Sequence, residues 1–164
     1  EPPPAVAPLP DVIVDLAAQT ATPLARWVQD SDLVPLMASM GVSVNFWHVA
    51  DAGKDSVDLL DRLVATYGAG PNYIVVKNKG RGSDFSQLEA SGALKKAQAL
   101  GGHVIGLAQL HEASMRKIDR QNASVCAAAN ATTGADALGM LERQRVKTWL
   151  KNAYADLDTL PLGA

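Results

Sequence analysis

Short apolar runs alternating with stretches of helical period are the feature that most limits what this chain can fold into. Asp11-Val-Ile-Val-Asp15-Leu16, Val42 to Val49, Asn72 to Val76 and His103 to Leu107 are such runs. A strand buried on both faces of a parallel sheet has this unbroken character, whereas a half-exposed strand alternates. Between the runs, Leu24, Trp27, Val28, Leu33, Met37 and Met40 keep helical spacing up to Gly41, and Val57, Leu60, Leu63, Val64 and Tyr67 do so up to Gly68, where glycine is a natural helix stop. A third helical stretch covers about 85 to 100, with a break expected at Ser91-Gly92. Met115, Ile118, Val125, Cys126 and Ala129 mark a fourth helix, and Leu138, Leu141, Val146, Trp149, Leu150, Ala153 and Leu157 mark a fifth. Strands separated by helix-length crossovers predict an α/β fold of three layers, with a mainly parallel sheet between helices. Four strands are few for such a sheet, so a partner strand is expected to be missing.

Five prolines within residues 1–10 fix φ and remove backbone donors, which predicts an extended lead-in. One α/β domain is then expected over 11–157, with 158–164 as a tail. The 164 residues, 48% hydrophobic and 20% charged, suit a single globular domain and exclude disorder. Every apolar run is interrupted well short of the roughly 20 residues that a membrane span needs. Cys126 is the single cysteine; it falls on an apolar helical stripe and reads as a packed core thiol, which favours a reducing compartment, the cytoplasm. The chain opens at Glu1 without Met or a signal-peptide pattern, so a piece of something longer is expected.

Charge is unevenly distributed. Residues 1–70 hold nine Asp/Glu against three Lys/Arg, whereas 71–110 hold two against five and 111–151 four against seven. The basic later half suits an anionic ligand or partner, but a net charge of −2 disfavours direct DNA binding. Arg116, Lys117, Arg120, Arg143, Arg145, Lys147 and Lys151 decorate the last helical stretches; a solvated face is the default reading and a docking surface the sharper one.

In open α/β sheets, ligands bind beyond the carboxyl ends of the strands. The residues there are Asp15; His48 and Asp51; Lys77 to Ser83; and Gln109, His111 and Glu112. Asn78-Lys79-Gly80-Arg81-Gly82-Ser83-Asp84 offers glycines, cations and an expected helix start at Ser83 or Asp84, a composition that can hold phosphate. A Walker A loop, G-x-x-x-x-G-K-[ST], occurs nowhere in the chain, and Phe85 stands where a dinucleotide fingerprint needs its third glycine. The three histidines form no H-x-x-x-H pair and no G-x-S-x-G elbow is present, which argues against zinc and hydrolase-triad chemistry.

Taken in order, Asp11-Val-Ile-Val-Asp15, the Asn78-bearing strand end, and Leu107-Ala-Gln109-Leu-His111-Glu112 followed by Met115 to Arg120 resemble the later part of a ParA/MinD-type P-loop ATPase. The plasmid-stability and conjugal-transfer branch is the most similar. The resemblance covers about 11 to 157 and implies ATP and Mg²⁺ as cofactors. It places Asp15 beside Mg²⁺, Asn78 against adenine, and the segment around Gln109 and His111 beside the base, with Lys79 next to Asn78 in the same site. It implies ATP-driven plasmid partition, stability or conjugal transfer for the complete protein. Ala17 stands where the family usually has proline, and the phosphate loop is absent, so ATP hydrolysis by this chain is not expected. The partners this reading calls for are a preceding segment or a second subunit, a homodimer included. The competing reading is a non-enzymatic module that keeps the fold and docks a protein through its basic C-terminal helices. A third is a nucleotide-binding domain that uses the Asn78 to Ser83 loop in another chemistry.

Overall fold

The computed structural model describes residues 11–17 and 19–162; the proline-rich lead-in lies outside them. The chain divides into two units, one ending at Leu33 and the other beginning at Val34.

In the first unit, residues 11–17 form no strand and α1 spans Ala21–Asp30. The expected strand at 11–16 is therefore not formed. Val12, Ile13 and Val14 are 80%, 95% and 70% exposed. An apolar β-branched run has the side chains to fill a sheet, but strand formation requires a neighbouring backbone and cover on both faces, and the run itself supplies neither.

The second unit begins in the first turn of α2 (Leu33–Ser39) and continues with β1 (Asn45–Ala50), α3 (Lys54–Tyr67) and β2 (Asn72–Asn78). A single 3₁₀ turn (Lys79–Arg81) leads to α4 (Ser86–Ala90), α5 (Gly92–Ala99) and β3 (His103–Leu107). Then come α6 (Glu112–Arg120), α7 (Val125–Asn130) and α8 (Met140–Leu157). The strands form one parallel sheet in the order β1-β2-β3. Asn45 to Ala50 stand opposite Asn72 to Lys77, and Ile74 to Asn78 opposite His103 to Leu107.

The expected break in the third helical stretch is present: Ser91 caps α5, its hydroxyl accepting from Leu94 N–H at 3.1 Å, which satisfies one orphan donor of the helix start. The stretch that reads as one helix from Met115 to Ala129 is two, α6 and α7, because Asn122 turns the chain at φ 47° and Ser124 caps α7 by accepting from Ala127 N–H.

Side chains alternate across the strands, so the sheet has two apolar faces. Ala50, Tyr73 and Val75 pack with Leu60 and Val64 of α3, Leu88 of α4, and Leu94 and Ala97 of α5. Burial of each large aliphatic side chain there contributes about 1.5–3 kcal/mol. Tyr73 is wholly buried, and its hydroxyl donates to Gly68 O at 2.6 Å, so burial leaves no polar atom unsatisfied there. On the other face Ile74 and Val76 meet Ile105, Leu107, Leu157 and Leu160. Ile118, Ala128, Ala129, Leu138 and Val146 make a separate cluster beneath α6, α7 and α8.

Cys126 is exposed, contrary to the packed thiol expected from its apolar neighbours. The short helix α7 turns Ala128 and Ala129 inward instead, which puts Cys126 on the outer side. No helix among the described residues is long and apolar enough to cross a membrane.

Candidate functional site

Parallel strands end on one rim, and the register puts Ala50 opposite Lys77 and Asn78 opposite Leu107. The turns leaving β1 and β2, and the segment leaving β3, are therefore neighbours along that rim.

The turn after β1 is closed by a local network. Asp51 Oδ1 accepts from Gly53 N–H at 2.8 Å and from the Ser56 hydroxyl at 2.7 Å, while Asp51 N–H donates to Ser56 Oγ at 3.1 Å. The Ser56 hydrogen bond first, then the Gly53 N–H, hold the Asp51 carboxyl below the usual carboxylate range, and the charge of Arg81 acts in the same direction. His48 Nε2 lies 2.9 Å from Ser56 O, which fixes the tautomer with the proton on Nε2. Burial pushes the His48 pKa down and outweighs the Ser56 carbonyl and the Asp51 charge, which act the other way. The sequence marked His48 and Asp51 as strand-end residues but not Ser56, which joins them. Its signal was an Asp two residues before a glycine and five before a hydroxyl in the first helical turn.

After β2, Lys77 pairs with Glu89. Asn78 Oδ1 accepts from Gly80 N–H at 3.1 Å, which folds the chain into the 3₁₀ turn and leaves Nδ2 without a hydrogen bond among the described residues. A Cβ built at Gly106 would lie 3.4 Å from Lys79 Cε and 3.6 Å from Nζ, so the Lys79 side chain crosses β3 where a glycine leaves room. Gly82, at φ +128°, is close enough to the preceding turn that a Cβ would lie 2.6 Å from Ala52 Cβ; only glycine combines that φ with that approach. The expected helix start is displaced to Ser86. Asp84 instead accepts from Ser86 N–H at 2.9 Å, and bonding to Ser86 holds its carboxyl low.

Beyond β3, Ala108 O accepts from Trp149 Nε1 at 2.6 Å, tying α8 to the strand end. Gln109 and His111 are exposed, and His111 precedes α6. Glu142, at the start of α8, has its carboxyl held low mainly by the Lys117 hydrogen bond and then by Gly139 N–H.

Asn78, Lys79 and Gln109 thus belong to one rim, with Arg81 beside Asp51. Asp15, the expected Mg²⁺ residue, belongs to the first unit and does not end a strand. No group of three or more His, Cys, Asp or Glu among the described residues is arranged to hold a metal ion. The rim's cations and amide can meet a base or one anionic group, but a triphosphate needs a continuous row of backbone N–H donors with a lysine, and no Walker A loop is present. No protein-family model, curated protein or solved structure matches the chain.

Proposed function

We propose that this chain is the later half of a ParA/MinD-like ATP-binding protein acting in plasmid partition, stability or conjugal transfer, with an incomplete three-layer P-loop NTPase-like arrangement. The observation that carries the reading is the juxtaposition of Asn78 and the end of β3 on one rim, which brings the Gln109 segment beside it. Asn78 Nδ2, which makes no hydrogen bond among the described residues, can donate to a ring nitrogen of adenine while Gly80 N–H holds Oδ1 in place. Gln109 supplies a second amide at the adjoining strand end.

The base side of an ATP site fits these residues, and the triphosphate and Mg²⁺ side does not. Asp15 is a single carboxylate, and Lys79 with Arg81 leaves most of a triphosphate's charge unmatched. The chain alone therefore binds ATP weakly and does not hydrolyse it. Calorimetry with ATP and Mg²⁺ tests this. The expected result is weak binding that Asn78→Ala abolishes, with no phosphate released. Sub-micromolar binding, about −8 kcal/mol or better, would overturn the assignment of groups, and binding indifferent to Asn78→Ala would overturn the base site.

The alternative, docking through the basic C-terminal helices, draws on fewer cations than the composition suggests. Lys117 pairs with Glu142 and Arg120 with Asp136, while Arg143 donates to Ala131 O and Leu138 O. These groups join α6, α7 and α8 to one another.

A further inference from the structure

The two polar atoms of the Asn78 amide are not equally available to a ligand. Oδ1 accepts from Gly80 N–H at 3.1 Å, and a Cβ built at Gly80 would lie 3.1 Å from it. The oxygen is thus turned back against the backbone of its own 3₁₀ turn, which Asn78 caps. The planar amide then directs Nδ2 away from Gly80, and Nδ2 makes no hydrogen bond among the described residues. Asn78 stands opposite Leu107, and the carbonyl one residue further, Ala108 O, already accepts from Trp149 Nε1 at 2.6 Å. Asn78 therefore presents a donor at the rim, while two acceptors of these strand ends, its own Oδ1 and Ala108 O, are engaged.

Adenine carries the N7 acceptor beside the N6 amino donor, whereas a 6-keto purine carries N7 beside a second acceptor, O6. An asparagine selects adenine when both its amide atoms face the base together, the oxygen accepting from N6 and the nitrogen donating to N7. At Asn78 the oxygen is committed to Gly80. We infer that Asn78 reads a purine through a ring-nitrogen acceptor alone and does not select the 6-amino group, so that the base site takes a 6-keto purine at least as tightly as adenine. This rests on the base site proposed above and narrows what that site can distinguish. A donor placed at N7 meets a second acceptor in O6 of the keto base, and a competing donor in N6 of adenine. A site gains strong discrimination against an analogue only when a buried group is left unpaired by it, and the keto base leaves Nδ2 paired.

Titration with ATP and with inosine triphosphate, followed by ligand-observed NMR because binding is weak, compares two ligands with the same sugar and phosphates. Inosine triphosphate should bind as tightly as ATP or up to about tenfold more tightly, the factor that one hydrogen bond supplies. Asn78→Asp keeps an oxygen for Gly80 N–H and replaces the outward donor by an acceptor. In that variant the preference should reverse, with ATP the tighter ligand by about tenfold; the added negative charge repels both triphosphates equally and leaves the ratio to report on the base. Tighter binding of ATP than of inosine triphosphate by the unmodified chain overturns the inference, whichever group accepts from N6, and leaves the base site standing. A ratio that Asn78→Asp does not move overturns it as well, by taking Asn78 away from the 6-position. Should the variant fail to fold, the ratio in the unmodified chain decides. Binding of neither nucleotide removes the base site itself, and the inference with it.

Discussion

His48 is held half-buried with Nε2 donating to the Ser56 carbonyl, and this fixes its response to acid. Burial lowers its pKa below the ordinary histidine value of 6.5, so below that value the unfolded chain takes up the proton first. The stability that neutral His48 contributes is complete above 6.5 and is lost as pH falls through the lower folded value. Urea midpoints should therefore decline on acidification below the ordinary histidine value of 6.5, where the unfolded chain is protonated first. His48→Gln, which keeps an N–H donor without a titrating ring, should flatten that decline. An unchanged slope in the variant would place the acid sensitivity elsewhere. Asp51, Asp84 and Glu142 have lowered carboxyl pKa values, so their contribution is present above the ordinary carboxylate range and is lost only as pH falls through their lowered values.

At the scale of the element, α8 has the clearest difference between pattern and packing. Its apolar positions suggested one buried face through Leu141, Val146, Trp149, Leu150, Ala153 and Leu157. Val146 is fully buried, but Leu141 is 69% exposed and Trp149 is half-buried with its Nε1 on Ala108 O. Trp149 thus works partly as a hydrogen-bond donor that ties helix to strand end. Trp149→Ala should cost about 2–3 kcal/mol, below the 3–5 kcal/mol of a fully buried aromatic. Trp149→Phe, which loses mainly the bond, should cost about 1 kcal/mol; denaturant unfolding of both variants checks the difference. Periodicity locates the helix because apolar residues recur on the inner side, but which of them touch a neighbour depends on where α6, α7 and the sheet end.

For the whole molecule, the test is which apolar runs belong to the core. Asp11 to Leu16 and Asn72 to Val76 look alike as sequence, yet Ile13 is 95% exposed and Ile74 1%. Ile74→Ala should cost about 2–5 kcal/mol, and Ile13→Ala should leave the unfolding free energy within about 0.5 kcal/mol, as exposed substitutions do. Equal losses at both sites would restore the first run to the sheet.

The sequence by itself determined helix-length crossovers and four strand-like apolar runs, of which three are the parallel strands of the sheet, because a short apolar run and an amphipathic helix are local patterns read from neighbouring residues. It also determined the break at Ser91 and the rim on which Asn78 and Gln109 lie, since parallel strands end together. Only the tertiary structure decided that Asp11 to Leu16 stays unpaired, that Cys126 faces outward, that Ser56 closes the His48 and Asp51 turn, and that Lys117, Arg120 and Arg143 brace helices. Each of these depends on which distant segment lies alongside, and in the one-dimensional pattern that neighbour leaves no mark.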